Sequence, residues 1–235
     1  MKLPNIISEL SFRKATIKDI DYIAEILIQA EKSSNEFSPM QKIFELSSEE
    51  YFMFIKNVLE EEVPGSEYFC ENFILVFHKS EFVGGIAAWI EGNGNQSSNF
   101  VKAPLLSYYL GIEKWIKVQT DLELLTSIMH QRQAGTLQID AGYINPKFQG
   151  NSIPKVMISY GINFFENEFE KLKKVQVVTI VENVKGLKSL EKLGFKIANK
   201  KQSNNQKLIG LISGTGFYQL ELDLIKYKNA KYGQK

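Results

Sequence analysis

The 235-residue chain has one cysteine, Cys70, and two histidines, His78 and His130. A single thiol builds no disulfide framework, and so few imidazoles exclude the usual cysteine and histidine spacings of a zinc site. No run approaches the roughly 20 apolar residues that a membrane-spanning helix needs. The opening MKLPNIISELSF lacks the continuous apolar core of a secretory signal, so the expected compartment is the cytoplasm. With 28 basic against 27 acidic side chains, the net charge of +1 gives no electrostatic reason to expect nucleic acid or an anionic membrane. There is neither a G-x-G-x-x-G after a strand nor a G-x-x-x-x-G-K-[ST] loop, which sets aside dinucleotide and P-loop sites. No internal repeat is visible. What remains is a length and composition suited to one domain, residues 1–235, with a large core.

The most informative stretch is LQIDAGYINPKFQGNSIP, residues 137–154. Apolar and polar residues mix over 137–144 as in a half-buried strand, and Asn145-Pro146 is a turn dipeptide that ends it. Pro154 suits the first turn of a helix, where its missing N–H would have had no partner. Val156, Met157, Tyr160, Phe164 and Phe165 then recur at helical spacing. Strand, small-residue loop and helix together aim several main-chain N–H groups at one point, the ordinary design of an anion site. A second stretch follows the β-branched run 175–181. Asn183 is a helix N-cap, Leu187, Leu190 and Leu193 share one side, and Gly194 supplies a left-handed stop on which Phe195 packs back.

The pair of stretches resembles the GNAT superfamily of acetyl-CoA-dependent N-acetyltransferases. Ile144-Asn145-Pro146 matches the family's strand end, Gln149 opens its loop, and Gly150 matches a frequent glycine. Asn183, Gly186, Ser189, Leu190, Gly194 and Phe195 match its later motif in register. Residues 12–27 and 73–91 fit the family's first helix and early hairpin, so the resemblance covers most of the chain. It implies an α/β fold of the α+β type, a mixed, mostly antiparallel sheet flanked by helices. It also implies acetyl-CoA as cosubstrate and a small-molecule or peptide amine as acceptor. Three positions depart from the pattern. Ser152 and Pro154 replace small Gly or Ala residues, and Pro154 removes an N–H from the pyrophosphate loop. Leu190 stands where many members carry the tyrosine that protonates the leaving thiolate.

Elsewhere the reading is coarser. A strand at 12–15 precedes a helix opened by Thr16-x-x-Asp19, with Ile20, Ile23, Ala24 and Leu27 on one face. Ser47-x-x-Glu50 opens another, and 31–46 between them has no pattern. Strands at 73–77 and 82–90 form a hairpin, in which Gly84-Gly85 marks a bulge or a close backbone approach. Glu91 closes its strand and either points into the active cleft or, the favoured reading, is a solvated strand end, and His78 reads as a turn residue. Residues 93–135 form a helical insertion between the third and fourth strands: a polar loop from Gly94, a helix over 105–118, and a second opened by Thr120-x-x-Glu123. It suits a lid, an acceptor-specificity element, a homodimer surface or an extra packing layer. Residues 198–207 are polar, 217–224 alternate as a last strand, and 226–235 read as a frayed tail.

The resemblance assigns roles. Pantetheine pairs with the main chain of Tyr143 and Ile144, and the pyrophosphate sits on the N–H groups of Gly150, Asn151, Ser152 and Ile153. Gln149, Pro154, Asn183 and Ser189 complete the cofactor set, and Lys155 is free to add charge. Strand alternation would put Gln138, Asp140, Gly142 and Ile144 on one face. Asp140, the ionisable one, is then either the general base, its pKa raised by burial, or a hydrogen-bonded structural carboxylate. Tyr160 and Tyr218 are substitutes for the missing acid. An inactive acyl-CoA-binding module is the alternative to an enzyme.

Overall fold

The computed structural model describes residues 6–32, 36–92 and 96–232. Seven strands form one sheet in the order β1-β2-β3-β4-β5-β7-β6. They are β1 (Leu10–Lys14), β2 (Phe73–His78), β3 (Glu81–Ile90), β4 (Leu137–Ile144), β5 (Lys174–Ile180), β6 (Lys196–Gln202) and β7 (Gly216–Asp223). Every pairing is antiparallel except β4 with β5. The result is the mixed, mostly antiparallel sheet that the sequence led us to expect.

Alternation along the central strands sends side chains into two cores. Phe73, Leu75, Ala87 and Trp89 face helices α1 (Ile20–Lys32), α3 (Ser48–Glu60) and α4 (Ser98–Leu110). Ile74, Val76, Ile86 and Ala88 face α6 (Ile153–Glu168) and α7 (Val184–Lys192) on the other side. Both expected N-terminal capping boxes are present, Thr16 with Asp19 and Ser47 with Glu50. Asp19 also takes a two-pronged ion pair from Arg13 at 2.7 and 2.8 Å. That pairing, with the Thr16 hydrogen bonds, holds the Asp19 carboxyl at about 2 in spite of its burial.

Several expectations need correction. The patternless 31–46 stretch contains a short helix, α2 (Pro39–Phe44), capped by the Ser38 hydroxyl. The insertion's helices divide at Gly111, not near residue 119. Helix α4 ends there, and α5 (Ile112–Ser127) runs straight through Thr120. Gly111 has a φ of 82°, so the chain turns where only glycine does so cheaply. The expected face therefore splits. Leu105 and Tyr109 pack on the α1–α3 side of the sheet, the front core, whereas Ile112 and Ile116 are exposed. The start of the polar loop at Gly94-Asn95 and the last three residues lie outside the described residues.

The polar 198–207 stretch hides the edge strand β6 and helix α8 (Gln206–Ile212), and the tail forms α9 (Leu224–Tyr232). An edge strand exposed on nearly every residue has no apolar alternation to read. His78 ends β2 rather than sitting in the turn, and its ring meets Glu9 at 3.1 Å. Glu91 is not a solvated end but is 2% exposed.

Candidate active site

Strand β4 holds two partners unequally. Against β3 it pairs from Leu137 to Ile144, but against β5 only from Leu137 to Ile139. Beyond Ile139 the two parallel strands part, and no strand among the described residues pairs with β4 on that side. Main-chain groups of Asp140 to Ile144 are thus left without a ladder at the strand end that leads into α6.

The register with β3 slips between Gly85 and Ala87, where Ala141 adopts a φ of 42°. This bulge reverses the strand's alternation. Ala141 and Tyr143 pack on the front core with α1, whereas Ile144 packs on the α6 side and Gly142 approaches Ile86 there. The four-residue face expected from simple alternation therefore ends at Asp140, and Gly142 and Ile144 lie on the opposite side. The anticipated close backbone approach is at Gly84, where a Cβ would lie 2.1 Å from the Tyr143 carbonyl oxygen.

After β4, Pro146–Phe148 makes one 3-10 turn, with the Asn145 side chain accepting from the Lys147 N–H. Gly150 (φ 83°) and Ser152 (φ 58°) are both left-handed, and α6 starts at Ile153 with Pro154 in its first turn. Ser152 makes no capping hydrogen bond. Among the described residues, the N–H groups of Gly150, Asn151, Ser152 and Ile153 donate to no other protein group. The Gln149 amide covers the Ile144 carbonyl at 3.3 Å, and the Asn151 amide donates to the Phe148 carbonyl at 2.9 Å. Free donors at a helix N-terminus fit the diphosphate of acetyl-CoA, and the unpaired β4 main chain fits its pantetheine amides. The missing Pro154 N–H leaves the cradle one donor short.

Across the gap, β5 leads to Asn183, whose side chain accepts from the Gly186 N–H at 3.0 Å and donates to the Thr179 hydroxyl at 3.1 Å. The Gly194 stop forms as expected: its φ is 98°, and the Phe195 N–H reaches back to the Leu190 carbonyl at 3.1 Å. Ser189 is exposed with its hydroxyl on the Lys185 carbonyl. Leu190 is buried in the α6-side core beside Leu193 and Phe195. Tyr160 stacks on Phe12 at 4.7 Å, and Tyr218 lies under the Lys200 ammonium at 5.3 Å.

Asp140 is not the buried acid that the sequence suggested. Its side chain is 46% exposed, with Oδ2 3.2 Å from Arg132 Nη2 and Oδ1 accepting the Ala141 N–H at 2.7 Å. Arg132, 9% exposed, also meets Glu67 at 2.6 Å, and Lys102 pairs with Glu67 as well. Burial opposes the Glu67 charge, but the two cations overcome that and hold its carboxyl at about 2. Glu91 accepts from Trp89 Nε1, the Ser97 and Ser98 hydroxyls and the Ser98 N–H, all within 2.8–3.1 Å. Those donors outweigh desolvation and keep it below the usual carboxylate range. Sequence reading missed this cluster because its members come from three separate segments. Only the Ser97-Ser98 pair before an apolar run hinted at a cap.

A second feature lies on the same face. A surface hollow of about 560 Å³ is lined by Asp21, Tyr22, Glu25, Ile28 and Gln29 of α1 with Phe52 and Lys56 of α3. Tyr143 reaches this wall. Burial and its hydrogen bond to the Glu25 carboxylate push its hydroxyl up to about 12.

No family model matches the sequence, and no curated protein matches it. Solved structures do match. An N-acetyltransferase from Staphylococcus aureus Mu50 superposes with a TM-score of 0.59 at 12% identity, over 90% of this chain and all of the other. Mutant forms of the spermidine/spermine N-acetyltransferase of Vibrio cholerae give 0.54 at 13%, over 95% and 99%. A GNAT-family acetyltransferase from Streptococcus pneumoniae gives 0.51 at 14%, over 92% and 99%. At these identities the likeness is one of fold. The chain has the GNAT acetyltransferase fold, with the helices α4 and α5 lying between β3 and β4.

Proposed function

We propose that the protein transfers an acetyl group from acetyl-CoA to a primary amine of a small molecule or peptide. One observation carries the reading: β4 and β5 part after Ile139 directly beside an α6 N-terminus whose loop donors are free. Bound acetyl-CoA supplies the thioester carbonyl that is attacked. The main chain of Tyr143 and Ile144 orients the pantetheine arm, and the N–H groups of Gly150, Asn151, Ser152 and Ile153 take the pyrophosphate charge. Gln149, Pro154, Asn183 and Ser189 form the surrounding wall.

Asp140 then serves as general base. A lysine-type ammonium with a pKa near ~10.4 is under a thousandth neutral at pH 7, whereas an α-amine near ~8 is about a tenth neutral. Asp140 takes one ammonium proton, the nitrogen forms its bond to the acyl carbon, and the C–S bond breaks as the nitrogen's second proton passes to the departing sulfur, leaving amide and free CoA thiol. A thiol with a pKa near ~8.5 leaves without a strong acid, in keeping with a leucine at position 190. In the hollow of α1 and α3, Lys56 already pairs with Asp21 at 2.6 Å and lies over the Phe52 ring, so the Glu25 carboxylate and the Tyr22 ring are what it offers a cationic acceptor. The vibrio structure in the comparison is named for polyamine acetylation, which favours the same class.

The test is steady-state release of CoA thiol with spermidine, a lysine-containing peptide and a dipeptide α-amine as acceptors. Turnover with at least one, cut strongly but still measurable in Asp140→Asn with acetyl-CoA affinity retained, supports the reading. Acetyl-CoA binding with no turnover on any amine favours the acyl-CoA-binding module, the reading to which the buried Leu190 leans.

A further inference from the structure

We propose that Arg132 is a positioning residue for Asp140, and that the insertion serves the site as a fixed wall carrying this guanidinium. The inference rests on the acetyl-transfer reading with Asp140 as base. Arg132 lies in the segment joining α5 to β4, five residues before the strand begins. Its Nη1 donates to the Ser98 hydroxyl at 3.1 Å and the Asn99 side-chain oxygen at 3.2 Å, both at the start of α4. The same nitrogen pairs with Glu67, and Nη2 reaches Asp140. The guanidinium lies 4.8 Å from the centre of the Trp89 ring, and Trp89 pairs with Gln138, two residues before Asp140.

These contacts fix a plane. The Trp89 face supports the fork, Glu67 anchors one end, and the other end presents an N–H to Asp140 Oδ2. Rotation of the guanidinium away from Asp140 also breaks its contact with Glu67, a buried carboxylate that is costly to strip of a partner. Asp140 Oδ1 is pinned by the Ala141 N–H of the bulge, so each carboxylate oxygen has one partner and keeps acceptor capacity for a substrate ammonium. The charged and titratable groups around the pair are Glu67, Tyr68, Lys102, Glu91 and Glu31. The wall is itself anchored, because Glu91, just past the end of the central strand β3, caps the start of α4 through Ser97 and Ser98.

The experiment is a double-mutant cycle on the full chain, with CoA release measured for the best of the three acceptors named above. Arg132→Gln lowers kcat at least about tenfold while KM for acetyl-CoA stays within about twofold. Arg132→Lys recovers part of the loss, since it returns charge but not the fork. In an Asp140→Asn background, Arg132→Lys costs nothing further in kcat. Additive losses in the cycle, or losses confined to KM, overturn the positioning role while leaving the base in place. Should Arg132→Gln fail to fold, Arg132→Lys and the double variant still close the cycle. An unchanged kcat in Asp140→Asn alone removes the base reading, and this proposal with it.

Discussion

Gly84, opposite Ile144 in the register, approaches Tyr143 so closely that a single methyl group does not fit between them: a Cβ on Gly84 would stand 2.1 Å from the Tyr143 carbonyl oxygen and 3.0 Å from the Ile144 Cα. Both opposing atoms are backbone, so no rotamer change relieves the overlap. Gly84 also has a φ of 149°, which side chains disfavour. Gly84→Ala is predicted to destabilise the chain by about 2–4 kcal/mol and to weaken acetyl-CoA binding, because the displaced strand is the one proposed to hold pantetheine. Chemical denaturation and calorimetric titration measure the two effects. A loss of stability with full affinity would separate Gly84 from the cofactor strand.

Glu67→Gln leaves Arg132 and Lys102 facing a neutral amide in a buried site. The expected cost is about 3–5 kcal/mol, seen as a fall in thermal midpoint of roughly 10 °C. The wild-type pH dependence has a definite sign. Because the folded-state pKa of Glu67 is depressed from 4.5 to about 2, its contribution is present above pH 4.5 and drains away as pH falls towards 2. Unfolding free energy measured across that window should fall more steeply in the wild type than in Glu67→Gln. Parallel curves would contradict the assignment.

Ser152 occupies a left-handed position with a φ of 58° and caps nothing. Ser152→Gly removes that strain without removing a capping bond, and is expected to gain up to about 1 kcal/mol. Pro154→Ala returns the missing N–H to the loop and should tighten acetyl-CoA several-fold, by about 1 kcal/mol. Affinity unchanged by Pro154→Ala would place the pyrophosphate elsewhere.

Leu190 sits in the core beside Leu193 and Phe195. Leu190→Ala is predicted to cost about 2–4 kcal/mol of stability through the cavity it leaves, with kcat changed less than about twofold. A large fall in kcat at full folding would instead give the position a part in the chemistry.

Much of the fold was legible because local chemistry and tertiary packing agree. The Thr16 and Ser47 boxes, the Asn183 cap, the Gly194 stop and the 73–90 hairpin each declare themselves within a few residues. β6 did not, since an edge strand with Lys196, Lys200 and Lys201 shows no buried face. The α4–α5 division was misread because Thr120-x-x-Glu123 imitates a capping box in mid-helix, while the true break is one positive-φ glycine. Of the candidate site, the loop 149–154 was legible as a motif, and Asp140 through strand alternation as the ionisable residue on its face. The bulge at Ala141 was not, because no residue type encodes an extra backbone unit, and missing it misplaced Gly142 and Ile144. Arg132, Glu67 and Glu91 form a unit only after 70 residues of chain have folded back on β4.

The central claim is that acetyl-CoA occupies the gap between β4 and β5. It is tested most directly by thermal unfolding with acetyl-CoA, with ADP as the control. Ligand at about 100 times its Kd adds roughly 2.7 kcal/mol to native stability. For a chain of this size that predicts a rise of roughly 5–11 °C, well above the rise with ADP. An unmoved midpoint with acetyl-CoA would contradict the account, showing that the loop with Ser152 and Pro154 does not take the cofactor.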